Sequence, residues 1–136
     1  MGTVLVLREY KRIARAIREG KCTVKPYESQ DKEILDATFG KKGLLDRIQE
    51  ENAEQLLKEV DPARLESCLP EIADIIEQLP DEEDMIHLLD KAGCKTSVRD
   101  IGLGEETVPL SLRLAPYVRR RLSFLHVSKM LDIRGE

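Results

Sequence analysis

Apolar residues recur three or four positions apart along most of this chain, and glycine or proline interrupts the pattern at short intervals. Residues at that spacing share one face of a helix. No segment alternates apolar and polar residues between hairpin turns, which is the pattern of a half-buried strand. Aromatic residues make up only 4% of the chain and Trp is absent, which favours a core of Leu, Ile and Val between helices. The sequence therefore predicts an all-α fold with essentially no sheet, in a single domain over residues 1–136.

Start and stop signals divide the chain into predicted helices. Asp61-Pro62 is a strong start, because Asp accepts a hydrogen bond from the first turn and Pro suits the first helical position. Asp81 with Asp84, and Ser97 with Asp100, have capping-box spacing. The predicted helical segments are residues 3–18, 31–39, 44–60, 61–80 with a bend or split at Pro70, 82–92, a short turn ending at Gly102, and two short helices in 110–131 that break at Pro116 and restart at Ser123. Residues 21–30 are predicted to form a loop.

Composition and charge exclude several classes of protein. The chain is 41% hydrophobic and 35% charged, and its net charge of −4 argues against a general nucleic-acid binder, which needs a basic face. Nothing approaches the length of a membrane span, and the apolar residues near the N-terminus are too few for a signal core. Three widely spaced cysteines without a CxxC pair favour buried thiols in a reducing cytoplasm over disulfides or a zinc ribbon.

Two runs of residues in the second half of the chain follow a known family pattern. The first run is Leu79, Pro80, Glu83, Met85, Leu88, Leu89, Ala92, Gly93, Ile101, Gly102 and Leu103. The second run is Ala115, Pro116, Tyr117, Val118, Arg119, Arg120, Arg121, Leu122, Ser123, Phe124 and Leu125. Together they resemble the C-terminal part of the sn-glycerol-1-phosphate dehydrogenases, members of the metal-dependent alcohol and polyol dehydrogenase superfamily. Arg119 and Arg121 match the family pattern, and Arg120 stands where an Asp is usual.

The start of the chain extends the resemblance. Gly2, the apolar residues 4–7 and Tyr10 look like the tail of a family pattern in which a metal-binding His-Gly sequence leads into a helix. A helix that is apolar around most of its first turns should be buried on several faces. We therefore interpret this helix as the continuation of an upstream segment, whereas a first helix docked in a bundle is the simpler alternative.

The resemblance implies a multi-helix bundle similar to the C-terminal helical domain of dehydroquinate-synthase-like and iron-containing alcohol dehydrogenases. The family reduces dihydroxyacetone phosphate to sn-glycerol 1-phosphate with NADH or NADPH, and a divalent metal (zinc, nickel or iron) polarises the carbonyl. This chain has no GxGxxG phosphate loop, and neither His87 nor His126 matches a ligand position. No catalytic, cofactor-binding or metal-ligating residue is therefore assigned, and the chain alone is expected to be inactive. The expected partners are an N-terminal nucleotide-binding domain and a second copy in a homodimer, with no nucleic acid and no membrane.

Three groups of residues have a functional and a structural interpretation. Glu83, Asp84, His87 and Asp90 share a helix face and could ligate zinc, but acids near a helix start are ordinary capping residues. Residues 119–121 could bind phosphate. They point about 100° apart in a helix, so a solvated face with an ion pair to the acidic residues 50–54 is preferred. His126 is expected to be a packed or boundary side chain, and Cys22, Cys68 and Cys94 are expected to be buried thiols.

Two functional hypotheses follow. In the first, the chain is the helical domain of a glycerol-1-phosphate-dehydrogenase-like oxidoreductase and forms one wall of its active-site cleft. In the second, it is a stand-alone helical interaction or regulatory protein without catalytic activity. An apolar patch of several hundred Å² would favour a missing neighbour, and a well-covered first helix would favour independence.

Overall fold

A computed structural model of the protein describes residues 1–52 and 55–135. Its helices and strands, in chain order, are α1 (Gly2–Arg18), β1 (Cys22–Val24), α2 (Lys32–Phe39), α3 (Leu45–Glu51), α4 (Pro62–Glu77), α5 (Glu82–Lys91), α6 (Val108–Leu114), α7 (Phe124–Val127) and β2 (Leu131–Ile133). Short 3-10 turns lie at Gly40–Lys42, Leu56–Glu59, Arg99–Ile101, Glu105–Thr107, Ala115–Val118 and Ser128–Met130. The mostly helical fold agrees with the prediction from the sequence. No described helix has both the length and the apolar composition to span a bilayer.

The packing of α1 against α4 forms the centre of the fold. Ala14 and Ala73 meet at the crossing with Ile76, and Ala73 is completely buried. Small side chains at a contact let two helix axes approach closely. Beside the crossing, Arg18 at the end of α1 forms ion pairs with Asp74 and Glu77 of α4. The crossing therefore combines a tight apolar contact with charge pairing at its solvent edge.

The apolar first turns of α1 are covered by the chain itself. Val4 is 1% exposed, Leu5 and Leu7 are also buried, and α1 contacts α5 and α6 as well as α4. The amino group of Met1 donates a hydrogen bond to the carbonyl oxygen of Lys95 at 2.5 Å. The apolar start of α1 is therefore buried by other parts of the described chain.

The prediction of essentially no sheet is wrong at one place. β1 pairs with β2 in an antiparallel two-stranded sheet, with Cys22 opposite Ile133 and Val24 opposite Leu131. Each strand has three residues, too few to show an alternating pattern, and the pairing joins segments more than a hundred positions apart. Part of the predicted loop over residues 21–30 is therefore a strand. The sheet lies beside a core cluster of Leu57, Leu65 and Met130.

The predicted long helix over residues 44–60 is also wrong. α3 ends at Glu51, residues 53 and 54 lie outside the described residues, and a 3-10 turn follows at Leu56–Glu59. Asn52 has non-helical φ, and its side-chain amide donates to the carbonyl oxygens of Ile48 and Tyr117, both at 2.7 Å. Asn side chains that bond to nearby backbone groups compete with helix continuation. The break lets Leu57 enter the core.

The start and stop signals of the predicted helices are confirmed at most positions. Asp61 accepts a hydrogen bond from Ala63 N at 3.0 Å, and Ser97 and Asp100 exchange reciprocal bonds as a capping box. α4 continues through Pro70 without splitting. The Asp81 capping box is absent, because the Asp81 side chain accepts no cap hydrogen bond and lies 3.6 Å from Lys11 instead.

The predicted break near Pro116 is confirmed, but the apolar residues at helical spacing on its two sides are not buried together. α6 ends at Leu114, and the Ser123 side chain accepts from His126 N at the start of α7. Leu114 is buried in a cluster with Ile48 and Tyr117, whereas Leu110, Val118 and Leu122 are exposed.

Candidate functional site

A buried carboxylate with three donors lies where α2, α6 and the C-terminal segment meet. Asp31, at the start of α2, is 5% exposed. Arg113 Nε donates to its Oδ1 at 2.6 Å, Lys129 Nζ donates to Oδ2 at 2.6 Å, and the Tyr117 hydroxyl donates to Oδ2 at 2.7 Å. The carboxylate thus accepts from three donors that lie 82 to 98 positions away along the chain.

Two opposing effects determine the pKa of Asp31. Burial acts to raise it, because desolvation disfavours the charged form. The hydrogen bonds from Lys129, Tyr117 and Arg113 act in the other direction and together outweigh burial, so the pKa falls from its usual 3.8 to about 2. Asp31 is therefore ionised at neutral pH. A carboxylate with so low a pKa is a poor general base, because it has little tendency to take up a proton near neutral pH.

Tyr117 is the centre of an aromatic cluster around this carboxylate. The Lys129 ammonium lies 4.7 Å from the Tyr117 ring centroid, in cation–π geometry, and the His126 ring meets the Tyr117 ring edge-on with centroids 5.8 Å apart. Burial raises the pKa of Tyr117, and the neighbouring Tyr27 and Asp31 raise it further. Burial lowers the pKa of His126, so its imidazole is neutral at pH 7.

A cavity of about 200 Å³ lies beside the cluster and opens to solvent. Leu35, Leu45, Ile48 and Leu57 form its apolar wall, and the polar residues Tyr27, Asn52, Tyr117 and His126 in its lining are buried or partly buried. Ile48 and Asn52, at the end of α3, line this space together with Tyr117. The cavity has the usual character of a small-molecule site, mostly apolar with a few polar groups.

The sequence-predicted zinc candidates do not form a site. Glu83, Asp84, His87 and Asp90 are all exposed on α5, and the part of the chain that the structure describes holds no group of three or more His, Cys, Asp or Glu residues that could bind a metal. Acids in the first turn of α5 stabilise the positive end of its helix dipole, which is the capping interpretation.

The remaining candidates are placed as follows. The backbone N–H of Arg120 donates to Glu51 Oε2 at 2.9 Å, so the arginine run contacts one of the acidic residues that the sequence indicated, but residues 119–121 are not helical. His126 is packed, as predicted. Cys22 and Cys68 are partly buried, but Cys94 is exposed, so the prediction of a buried thiol is wrong there. Cys94 follows Gly93, which has a φ of +70° and ends α5 at the surface.

Sequence reasoning missed the Asp31 cluster and the cavity. Asp31, Arg113 and Lys129 are too far apart in sequence to form a spacing motif, and each alone looks like an ordinary surface charge.

Comparison with models of protein families, with curated proteins and with solved structures found no match to this chain.

Proposed function

We propose that this chain is the helical domain of an NAD(P)- and metal-dependent oxidoreductase similar to the sn-glycerol-1-phosphate dehydrogenases, and that the domain has no dehydrogenase activity alone. The family reaction needs a nucleotide and a divalent metal, and the described residues do not fit a metal site, so no step through either group is derived for this chain. Its role would be to form one wall of the cleft between two domains.

The observation that supports this proposal is that several of the residues that carry the resemblance end or begin a helix or turn. Gly93 and Gly102 have φ values of +70° and +77° at the ends of α5 and of the following turn. Pro116 lies just after α6, and Ser123 caps α7. These four residues are where the chain changes direction, so the matched order of residues is more informative than a similarity in composition.

Exposed apolar side chains give the proposed neighbour a surface to contact. Tyr10, Ile72, Ile75, Leu79 and Phe124 line a shallow apolar depression, and Ile75 is 63% exposed. Exposed apolar surface of this kind is common where two domains of one protein meet.

A chimera tests this proposal. The chain would be fused behind the nucleotide-binding domain of an established sn-glycerol-1-phosphate dehydrogenase, and NADH oxidation measured with dihydroxyacetone phosphate and Zn²⁺. We expect no turnover from the isolated chain and measurable turnover from the chimera. The control is the same fusion with an unrelated helical bundle. Turnover by the isolated chain, or a folded chimera no more active than the control, would overturn the assignment.

A second candidate function is favoured by one observation, the covered first helix. Because Val4 and Leu7 are buried by the chain itself, α1 needs no neighbour to cover its apolar start. A stand-alone interaction protein would run as a compact species in size-exclusion chromatography and bind little hydrophobic dye. Strong dye binding, reduced by changing Ile75 to Lys, would favour the two-domain proposal instead.

A further inference from the structure

The cavity beside Tyr117 has a definite hydrogen-bonding character. Both N–H groups of the Asn52 amide are in use, one to Ile48 and one to Tyr117, which leaves the carbonyl oxygen Oδ1 as an acceptor. His126 Nδ1 lies 3.3 Å from the carbonyl oxygen of Arg121. A carbonyl oxygen can only accept, so Nδ1 carries the proton of this neutral ring and Nε2 is an acceptor.

The two tyrosines follow the same pattern. The Tyr117 hydroxyl gives its proton to Asp31, so the contact of 3.5 Å with the Tyr27 hydroxyl has Tyr27 as donor. The Tyr27 oxygen keeps lone pairs that have no partner among the described residues. Asn52, His126 and Tyr27 thus offer acceptor atoms to the cavity, because their own N–H and O–H groups already donate to other parts of the protein.

These acceptors are accessible. No fully buried side-chain nitrogen or oxygen among the described residues lacks a hydrogen-bond partner. His126 is only 7% exposed and Asn52 is partly buried, and both line the cavity. Nε2 and Oδ1 are without partners in the described chain, so they must have some exposed surface, and the cavity is the space that provides it.

The charge around the cavity is balanced. Lys32 and Asp36 at its opening pair with each other at 3.3 Å, and the Asp31 carboxylate is compensated by Arg113 and Lys129. An anion would face unpaired acceptors, and a cation would find no uncompensated carboxylate inside. Burying either charge without a partner is costly.

The volume limits the size of an occupant. An apolar protein cavity of about 150 Å³ holds one benzene molecule. The cavity here is about 200 Å³, which leaves room for one aromatic ring with a small fused or attached group. Leu35, Leu45 and Ile48 provide the apolar contact for such a ring.

We propose that this cavity is a binding site for a small neutral aromatic molecule that carries an N–H or O–H donor. The ring packs on the apolar wall of the cavity, and the donor bonds to one of the acceptors of Asn52, His126 or Tyr27. This binding does not depend on dehydrogenase activity, so it survives if the proposed function fails.

Indole is the probe, because it has one N–H donor and no strong acceptor. The chain contains no Trp, so indole fluorescence can be excited selectively in its presence. Titrating the protein into a fixed indole concentration should give a saturable blue shift in emission and a rise in anisotropy. Isothermal calorimetry would then compare indole with indene, which has the same shape without the donor, and with benzoate, which carries a negative charge. We expect indene to bind about tenfold more weakly, since it leaves the acceptors unpaired, and benzoate more weakly still.

A matched pair of variants locates the binding. Leu45→Phe fills the cavity and should weaken indole binding at least tenfold, whereas Leu88→Phe, on an exposed position of α5, should leave it unchanged. Circular dichroism checks that both variants keep their helical content; if Leu45→Phe does not fold, Leu35→Phe takes its place. No saturable indole signal from the folded protein, equal affinity for indole and indene, tighter binding of benzoate, or full binding in the cavity-filled variant would each overturn the proposal.

Discussion

Replacing Asp31 with Asn removes one charge from the most connected polar group in the fold. Asn keeps the size of the side chain but turns one accepting oxygen into a donor that faces Lys129 or Tyr117. Lys129 has a side chain only 14% exposed, so its ammonium would lose its ion-pair partner in a poorly solvated place. Arg113 has a side chain 47% exposed and would be rehydrated at little cost.

The expected loss of stability follows from these contacts. The fall in the pKa of Asp31 from 3.8 to about 2 corresponds to about 2 kcal/mol of stabilisation of the charged form. Breaking a buried ion pair by removing one partner typically costs about 3–5 kcal/mol. Because Arg113 is half exposed, we expect Asp31→Asn to lower the free energy of unfolding by about 2–4 kcal/mol.

The pH dependence of this loss is also determined. The folded pKa is lower than the unfolded one, so the unfolded state binds the proton more readily and the contribution of Asp31 is complete above about pH 4. It declines as the pH falls from 3.8 towards about 2. The difference in stability between wild type and Asp31→Asn should therefore be constant near neutrality and shrink over that acidic interval.

Urea denaturation followed by circular dichroism at several pH values measures both quantities. The matched control is Asp36→Asn, one turn along α2, where the carboxylate pairs with exposed Lys32 and a change within about 0.5 kcal/mol is expected. Equal effects of the two substitutions, or a difference that does not shrink in acid, would refute the account of the Asp31 cluster.

Three further outcomes follow from other parts of the fold. Ala73→Leu should destabilise the protein by about 1–3 kcal/mol in the same urea assay, because it overpacks the closed α1–α4 crossing; no loss would mean that the crossing can open. Asn52→Ala should cost about 1–2 kcal/mol, since the Tyr117 carbonyl oxygen loses the amide that donates to it and the Ile48 carbonyl oxygen keeps only the backbone N–H of residue 52; an unchanged midpoint would show that water replaces the amide. Cys94 should react with a thiol reagent at neutral pH well before Cys22, whose pKa is raised by burial and by nearby Asp132; mass spectrometry of the first adduct decides, and a first adduct on Cys22 would contradict the placement.

Local signals in the sequence predict local structure well. Asp61-Pro62 marks the start of α4, Gly102 marks the end of the short turn before it, and Ser97 and Asp100 form their reciprocal cap, because each of these features depends on residues within a few positions. Periodicity gave a wrong prediction where side-chain chemistry opposed it. At Asn52, hydrogen bonds from the side chain ended a helix whose apolar spacing continued.

The site was beyond such reasoning because it is assembled from distant segments. Asp31 looks like the start of a helix, yet its side chain makes no cap bond and turns to Arg113, Tyr117 and Lys129 instead. The two strands could not be predicted either, since Val24 pairs with Leu131, more than a hundred positions away. No spacing rule links such positions without an alignment or a structure.

The pairing of β1 with β2 has a consequence for the order in which the protein is made. A ribosome delivers residues 22–24 early and residues 131–133 late, and the late segment also brings Met130, which is fully buried, and Lys129, which neutralises Asp31. Until that segment emerges from the exit tunnel, the nascent chain has an open sheet edge, an unfilled apolar hollow and a carboxylate without its ammonium. Contacts between such distant segments form slowly. The helical pair α1–α4 can dock before residues 129–133 have left the ribosome, whereas closure of the domain requires them.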